Sequence, residues 1–239
     1  MRLRILGNDS RAAGLGEYIE REGARLPWRQ ATVLPIPSTR DGKTVAGTDV
    51  SLGELVCLQD SSSLLVGYAI PEWVASAARA RGAEVLDAAE DETFLTENAG
   101  LTAEATVRIL SDGDVAPSDL RIGIIGYGRI GKFLKEMLTA LGASVEVYSS
   151  REGFEPYPNI RLARACGVDV LINTAPAAII KSEWQDELSG IRIMELASGK
   201  NIPDGFIYES LPSLPYRVYP KSAARTFIDF FKRQTDSFG

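Results

Sequence analysis

The chain has 239 residues, a formal net charge of −6 and a hydrophobic content of 45%. This length suffices for one large domain or two small ones, and either arrangement can bury a sizeable core. The Lys and Arg residues are dispersed, which argues against a nucleic-acid-binding protein. Histidine is absent, which excludes Ser-His-Asp and Cys-His catalysis, His-centred zinc sites and His-assisted hydride transfer. Acid–base chemistry must therefore use Glu, Asp, Lys, Tyr, Cys or water.

Two features of the sequence bear on the cellular compartment. Cys57 and Cys166 lie far apart and lack metal-ligand spacing, which favours reduced thiols in a reducing compartment. The first residues have the pattern of a short charged strand, and no apolar run is long enough to cross a bilayer. We therefore expect a cytoplasmic protein that binds no metal, no membrane and no nucleic acid.

The first third of the chain alternates between strand and helix patterns. We predict strands at residues 3–6, 32–36, 64–70 and 82–86. We predict helices at residues 10–22 and 71–81. Residues 43–58 have a weak pattern that predicts a small hairpin or an irregular excursion. We predict that residues 1–93 form a flavodoxin-like α/β substrate domain, and the lack of a G-x-G-x-x-G motif there argues against a second dinucleotide site. A C-terminal helix at residues 222–236 is expected to complete this domain.

Residues 120–151 carry the most informative pattern: a strand, a glycine turn, a helix and a second strand. The turn is the G-x-G-x-x-G motif Gly126-Tyr127-Gly128-Arg129-Ile130-Gly131. Gly126 permits the tight turn, Gly128 lets a pyrophosphate approach the backbone, and Gly131 lets the helix pack closely on the sheet. We predict that this motif binds a dinucleotide, against the alternative of an ordinary strand-to-helix turn without a ligand.

The end of the second strand of this unit decides between NAD and NADP. An Asp or Glu there would bond the ribose hydroxyls of NAD and would repel a 2′-phosphate. The strand ends at Tyr148 and is followed by Ser149, Ser150 and Arg151, which offer two hydroxyl donors and a guanidinium. We therefore predict NADP as the cofactor, with Arg129 as a second phosphate ligand. The alternative is that Arg151 is an ordinary solvent-exposed residue.

Later strand patterns end in polar residues that we expect beside the nicotinamide. Residues 168–176 predict a strand that Pro176 stops, and Asn173 and Thr174 at its end offer hydrogen bonds to ribose or carboxamide or form an ordinary strand-end turn. Residues 191–198 predict the next strand, closed by Ala197 and Ser198. Residues 207–209 predict a short edge strand.

These patterns define the second domain and the fold class. Residues 87–92 are acidic and predict a linker, and a helix at residues 98–111 is expected to cross between the domains. We predict that residues 94–221 form a Rossmann-type domain with a doubly wound parallel sheet. The fold class is therefore α/β.

Polar residues at predicted strand ends and helix starts are the candidates for handling a substrate. The candidate substrate-binding residues are Thr39, Arg40, Asn98 and Thr102, and the catalytic candidates are Glu104, Lys221 and Ser222. Lys221 at a helix N-terminus could bind a carboxylate together with backbone N–H groups. Glu104 could be a general base if desolvation raises its pKa, or a solvated helix acid paired with Arg108. The loop that carries Thr39 could equally be an ordinary surface turn.

Several segments occur in an order that matches a known family over nearly the whole chain. The segments are residues 34–40, 98–104, 125–131, 149–151, 172–176, 195–198, 211–213 and 220–223. Together they resemble the first subunit of dipicolinate synthase. The cofactor segments fit many Rossmann enzymes, whereas Thr102-Ala103-Glu104 and Pro220-Lys221-Ser222-Ala223 are more specific to this family.

The resemblance implies oxidation of dihydrodipicolinate, or of its hydrated precursor, to dipicolinate with NADP⁺. It also implies a small dicarboxylate substrate, a partner in the form of a flavoprotein-like second subunit, and a role in dipicolinic acid biosynthesis during sporulation. We expect a homo-oligomer, because this architecture often dimerises through the cofactor domain. Two other hypotheses stay open: a dehydrogenase of another small carboxylic acid, and a nucleotide-binding partner subunit without chemistry of its own.

Overall fold

The structure, a computed structural model, describes residues 1–22 and 26–236. The chain divides into two compact units. The first combines Met1–Asn98 with Pro215–Gly239, and the second is Ala99–Leu214. In the described ranges, no helix is both long enough and apolar enough to cross a membrane.

The described residues form strands and α-helices that alternate along most of the chain. The strands are β1 Arg2–Ile5, β2 Gln30–Val33, β3 Ser63–Gly67, β4 Glu84–Asp87, β5 Arg121–Ile125, β6 Ser144–Tyr148, β7 Val170–Asn173, β8 Arg192–Glu195 and β9 Glu209–Ser210. The helices are α1 Ser10–Glu22, α2 Leu52–Cys57, α3 Glu72–Ala80, α4 Glu92–Ser111, α5 Arg129–Ala140, α6 Leu214–Val218 and α7 Pro220–Thr235.

The first unit contains a four-stranded parallel sheet whose strands lie in sequence order, β1-β2-β3-β4. This order differs from the 2-1-3-4-5 order of flavodoxin, although helices cover both faces of the sheet as they do there. β2 was predicted to reach Ile36 but ends at Val33. Pro35 and Pro37 lack the N–H group that a continuing ladder would need. A proline-containing loop therefore leaves this end of the sheet.

Both faces of the first sheet are buried. Helices α1 and α7 pack on one face, and α2 and α3 pack on the other. Alternate residues of β3 serve the two cores, since Leu64 and Val66 belong to the first and Leu65 to the second. Burial on both faces explains why this strand is a continuous apolar run.

The segment at residues 43–58 corrects the sequence prediction. It forms one antiparallel bridge between Thr44 and Ser51 and then helix α2, so a hairpin is wrong for its second half. The helix begins there because Ser51 and Glu54 form a capping box. The Ser51 hydroxyl accepts from the Glu54 N–H at 3.1 Å, and the Glu54 carboxylate accepts from the Ser51 N–H at 2.9 Å.

The predicted linker at residues 87–92 is also wrong, because these residues are part of the first unit. A 3₁₀ turn occupies Ala88–Glu90, and helix α4 begins at Glu92 instead of residue 98. The Asp91 carboxylate accepts from the Phe94 N–H at 2.6 Å and pairs with Arg233 at 3.0 Å. Phe94 is buried in the core between the first sheet, α1 and α7.

The second unit contains a five-stranded, fully parallel sheet in the order β6-β5-β7-β8-β9. The α/β fold class and the Rossmann-type parallel sheet are therefore confirmed. Helix α5 connects β5 to β6 and buries Leu134 and Leu138. The later crossovers are short 3₁₀ segments, Tyr157–Leu162 and Ser182–Trp184, in place of full helices.

The edge of this sheet differs slightly from the prediction. The edge strand was predicted at residues 207–209, whereas β9 is Glu209–Ser210 and Ile207 is 94% exposed. A bidentate ion pair between Arg192 of β8 and Glu209, with N–O distances of 2.5 and 3.0 Å, holds β9 in place. This ion pair therefore adds to the backbone pairing of β9 with β8.

Candidate functional site

The glycine turn after β5 has the backbone geometry that the motif requires. Gly126 has φ +97°, and a Cβ on it would lie 2.9 Å from the Thr174 hydroxyl oxygen. A Cβ on Gly131 would lie 2.3 Å from the Gly126 carbonyl oxygen, so the helix approaches the turn closely. A Cβ on Gly128 would lie more than 4 Å from every atom of the described residues outside its chain neighbours and its own helix. The turn is therefore tight at its two ends and open in the middle.

The open position coincides with the start of a helix. Gly128 is the N-cap of α5, and its carbonyl accepts the first helical bond from the Lys132 N–H at 3.0 Å. The N–H groups of the first helical turn have no acceptor within a helix. Because the helix dipole also favours negative charge at this end, this surface can accept a pyrophosphate.

The residue after β7 braces this turn. The Thr174 hydroxyl donates to the Ile125 carbonyl at 3.0 Å and lies 3.3 Å from the Gly126 carbonyl. Its backbone N–H also donates to Ile125 at 2.9 Å. The predicted bonds from Thr174 to ribose or carboxamide would compete with this bracing, because its one hydroxyl proton is already donated.

Asn173 and Glu195 form a buried pair at the ends of β7 and β8. The Asn173 side-chain amide donates to the Glu195 carboxylate at 2.8 Å and to the Ala175 carbonyl at 3.2 Å. The other Glu195 oxygen accepts from the Ala197 N–H at 2.8 Å. Burial raises the pKa of Glu195, and bonds donated by Asn173, Ala197 and Asn201 oppose that rise. Asn173 is only 2% exposed, so its side chain fixes the strand ends.

In the loop after β6, two of the three predicted cofactor-binding residues are exposed to solvent. The Ser149 N–H donates to the Glu155 carbonyl at 2.8 Å, and its hydroxyl accepts from the Arg151 N–H at 3.2 Å. Ser149 is 4% exposed, whereas Ser150 and Arg151 are exposed. The side chains free to meet a ligand here are therefore those of Ser150 and Arg151.

The predicted cofactor residues share one end of the second sheet. They follow the carboxyl ends of parallel strands, where open α/β sheets bind ligands. Of the predicted cofactor residues that follow β7 and β8, Pro176 and Ser198 are exposed and Ala197 is half-buried. Arg129 is exposed in the first turn of α5, and Ile130 beside it is half-buried. In the described ranges, no group of three or more Cys, Asp or Glu side chains is arranged to hold a metal ion.

In the first unit, Thr39 organises its own loop. Its hydroxyl donates to the Asp41 carboxylate at 3.2 Å and accepts from the Gly42 N–H at 3.0 Å. Asp41 also accepts from the N–H groups of Lys43 and Thr44, and these bonds hold its pKa well below its usual range. Arg40, next to Thr39, is exposed. The surface-turn interpretation therefore describes Thr39, while Arg40 is available to an anion.

The remaining substrate candidates lie on two helices. Lys221 and Ser222 are exposed in the first turn of α7, whose first residue is Pro220. On α4, Asn98 is half-buried and belongs to the first unit, whereas Thr102 and Glu104 belong to the second. Thr102 is buried and Glu104 is exposed. The general-base role of Glu104 stays a prediction.

A buried ion pair in the first unit escaped the sequence analysis. The Arg11 guanidinium donates to the Asp9 carboxylate at 2.7 Å and to the Ile36 carbonyl at 2.8 Å. Asp9 also accepts from the Ile36 N–H at 3.1 Å. Burial raises the pKa of Asp9, but the bonds and charge of Arg11 hold it below its usual value. The pair joins the loops that follow β1 and β2.

Two solved structures share this fold over nearly the whole chain. The first subunit of dipicolinate synthase from Bacillus halodurans matches with a TM-score of 0.76 at 20% sequence identity, over 98% of this chain and 97% of that chain. Its counterpart from Bacillus subtilis matches with a TM-score of 0.76 at 17% identity, over 100% and 96%. The fold is shared with this dipicolinate synthase subunit. The resemblance inferred from the sequence segments is confirmed at this level.

More distant similarity extends to another class of dehydrogenase. A D-isomer-specific 2-hydroxyacid dehydrogenase from Lactobacillus delbrueckii ssp. bulgaricus, solved in an NAD-complexed form, matches with a TM-score of 0.54 at 11% identity, over 99% of this chain and 97% of that chain. No family model matches the chain, and no curated protein matches it significantly. The similarity is therefore one of fold.

Other residues beside the glycine turn also escaped the sequence analysis. Lys132 and Lys135 of α5 and Phe154 of the loop after β6 lie around the Tyr127 ring. The spacing of the two lysines on the helix was a usable signal, since residues three apart share a face. Glu195 had a signal too, because a carboxylate inside an apolar strand pattern needs a partner. The position of Phe154 had none, because a loop closure brings it there.

Proposed function

We propose that this protein is an NADP-dependent oxidoreductase that acts on a small dicarboxylate of the dihydrodipicolinate type. The observation that carries the proposal is the open backbone at Gly128, at the start of α5 and between two sterically constrained glycines. A pyrophosphate fits there because it needs close approach to the backbone and free N–H donors. The fold shared with the first subunit of dipicolinate synthase supports the same conclusion.

The preference for NADP rests on the charge after β6. In the described structure the loop that follows Tyr148 presents Ser150 and Arg151, and Arg129 is exposed at the start of α5. Guanidinium groups pair well with phosphate, and a carboxylate accepting the ribose hydroxyls of NAD is missing from residues 149–151. We therefore assign Arg151, Ser150 and Arg129 to the cofactor phosphates.

The reaction would be a two-electron oxidation. Bound NADP⁺ would accept a hydride from the dihydropyridine ring, and the ring would lose one proton as it becomes aromatic. Arg40 and Lys221 are exposed cations that suit the two carboxylates of such a substrate. Because the chain has no histidine and Glu104 is exposed, we assign the proton to water.

The experiment has two steps. Isothermal titration with NADPH and NADH should show binding of both and tighter binding of NADPH. NADP⁺ and freshly prepared dihydrodipicolinate should then give dipicolinate, followed by its ultraviolet absorbance, with an equal amount of NADPH. Tighter binding of NADH would contradict the NADP assignment, and cofactor binding without turnover would contradict the substrate.

The exposure of Glu104 favours one second candidate function, that of a nucleotide-binding subunit without chemistry of its own.

The family resemblance supports two further proposals, self-association and pairing with a flavoprotein-like second subunit. Light scattering after size-exclusion chromatography measures self-association. Turnover that is observed only when the second subunit is present would support the non-catalytic assignment.

A further inference from the structure

Three cations surround one aromatic side chain beside the glycine turn. The Lys132 ammonium lies 5.9 Å from the centre of the Tyr127 ring, the Lys135 ammonium 5.7 Å, and the Arg151 guanidinium carbon 6.0 Å. Phe154 packs on the same ring with centroids 4.3 Å apart. We call these five residues the aromatic–cationic cluster.

Local structure places the members of this cluster together. Lys132 and Lys135 lie three residues apart on α5, so their side chains share one side of the helix. Phe154 reaches the cluster because the loop after β6 closes on itself, with a parallel bridge between Tyr148 and Glu155. The cluster therefore combines the glycine turn, the helix after it and the loop that selects the nucleotide.

The charge of the cluster is uncompensated among the described residues. Ion pairs in the described part of the second unit include Lys181–Glu183, Arg192–Glu209 and Lys200–Asp204. None of them includes Lys132, Lys135 or Arg151, even though the whole chain carries a net charge of −6. An acidic protein that gathers three cations in this way provides a site for an anion.

Cation–π packing alone accounts poorly for this arrangement. An exposed cation–π contact contributes about 0.5–1 kcal/mol. Tyr127 and Phe154 are half-buried, whereas Lys132 and Arg151 are exposed. Lys135 is half-buried as well, so Lys132 and Arg151 are the cluster's exposed cations and remain accessible to a ligand.

We propose that the aromatic–cationic cluster binds the ribose 2′-phosphate of NADP, and that Lys132 and Lys135 are specificity-determining residues together with Arg151. This inference rests on the proposed function, because it assigns new residues to the same dinucleotide site. A phosphate monoester carries nearly two negative charges at neutral pH and accepts several charge-assisted hydrogen bonds. Two lysines and an arginine match that demand better than Arg151 alone.

The test uses the full chain, the double variant Lys132→Gln/Lys135→Gln, and NADPH and NADH as probes that differ only in the 2′-phosphate. Isothermal titration should show NADPH affinity reduced at least about tenfold, which corresponds to about 1.4 kcal/mol, and NADH affinity changed by less than about twofold. The matched control is Lys181→Gln, because Lys181 also packs on an aromatic ring, 5.6 Å from the centre of Trp184, but lies outside the cluster. This control should bind both probes as the unmodified protein does.

The outcomes separate the two proposals. If the unmodified protein binds neither probe, the proposed function fails and the inference fails with it. If it prefers NADPH and the double variant keeps that preference, the inference alone is overturned. An equal loss of affinity for both probes would also overturn it, since that shows general attraction of phosphates. Circular dichroism and thermal melting of each variant establish that the fold is retained.

Discussion

At the scale of single residues, Gly128 and Gly131 show two different reasons for glycine in one turn. Gly131 has no room for a side chain, since a Cβ would lie 2.3 Å from a carbonyl oxygen. Gly128 has room, and its φ of −80° is open to any residue. Folding therefore requires the glycine at 131, whereas a ligand would require the one at 128.

The two positions predict opposite results on mutation. Gly128→Val should lower the unfolding free energy by no more than about 1 kcal/mol but weaken NADPH binding at least about tenfold, because the side chain fills the phosphate approach. Gly131→Ala should lower the unfolding free energy by about 1–3 kcal/mol, because the helix must move. Urea denaturation and isothermal titration measure the two effects. Undiminished NADPH binding by Gly128→Val would contradict the site.

The buried carboxyl of Glu195 predicts how the unfolding free energy depends on pH. Its pKa is raised by burial in the folded protein, so the folded state holds the proton more tightly than the unfolded state does. The stabilisation linked to that proton is complete below the unfolded pKa and is lost as pH rises through the folded pKa. Relative to Glu195→Gln, the unmodified protein should lose unfolding free energy as pH rises above about 4.5, by at most about 1.4 kcal/mol per pH unit.

Urea denaturation of both proteins across this pH range measures the difference. The matched control is Glu187→Gln, since Glu187 lies in the same unit but is exposed. Its difference from the unmodified protein should stay flat. A flat difference for Glu195→Gln as well would show that the raised pKa has no effect on stability.

At the scale of elements, helix α7 completes a core that the first 98 residues leave open. Phe227, Phe230 and Phe231 of this helix are fully buried. Phe227 and Phe230 each lie 5.9 Å from the ring of Phe94, which is in the first turn of α4. Gly14 of α1 permits close helix packing, because a Cβ there would lie 3.0 Å from that of Ala224. The C-terminal helix is therefore structural for the first unit.

Removal of one of these rings should be costly. Phe227→Ala should lower the unfolding free energy of the first unit by about 3–5 kcal/mol, because it leaves a cavity among packed aromatic rings. Hydrogen exchange of the β2 and β3 amides measures the loss. Trp73→Ala removes a ring that is 53% exposed in the same unit, so it should change exchange much less. Equal effects of the two substitutions would contradict the packing described for α7.

At the scale of the whole molecule, charge is distributed unevenly. The net charge is −6, yet three cations converge around Tyr127 without a carboxylate partner in the described ranges. An acidic molecule repels a phosphorylated ligand at long range, so binding must depend on local cations. Local attraction between exposed charges is screened by salt.

This distribution predicts a salt dependence that differs between the two cofactors. Raising NaCl from about 50 mM to about 500 mM should weaken binding of NADPH several-fold more than binding of NADH, because only NADPH places a 2′-phosphate among the cations. Isothermal titration at several salt concentrations measures this. In Lys132→Gln/Lys135→Gln the difference between the cofactors should shrink. Identical salt slopes for NADPH and NADH would place the 2′-phosphate elsewhere.

The sequence by itself determined the alternation of strands and helices, the parallel α/β class and the glycine turn. These features depend on local patterns: apolar runs, residues at helical spacing, and glycines whose conformation is set by their neighbours. The same patterns misjudged residues 43–58 and 87–92. There, a capping box between Ser51 and Glu54, and the bond that the Asp91 carboxylate accepts from the Phe94 N–H, stabilise the starts of the helices.

Only the tertiary structure decided which side chains are accessible and which are engaged. Thr39, Asn173 and Thr174 have suitable chemistry in the sequence, but hydrogen bonds within their own loops and strand ends occupy them. Lys132, Lys135 and Phe154 came together because a helix face and a closed loop meet at Tyr127. The helical spacing of the two lysines is a local pattern, but their meeting with Phe154 depends on residues distant in the chain, and a local sequence pattern does not encode it.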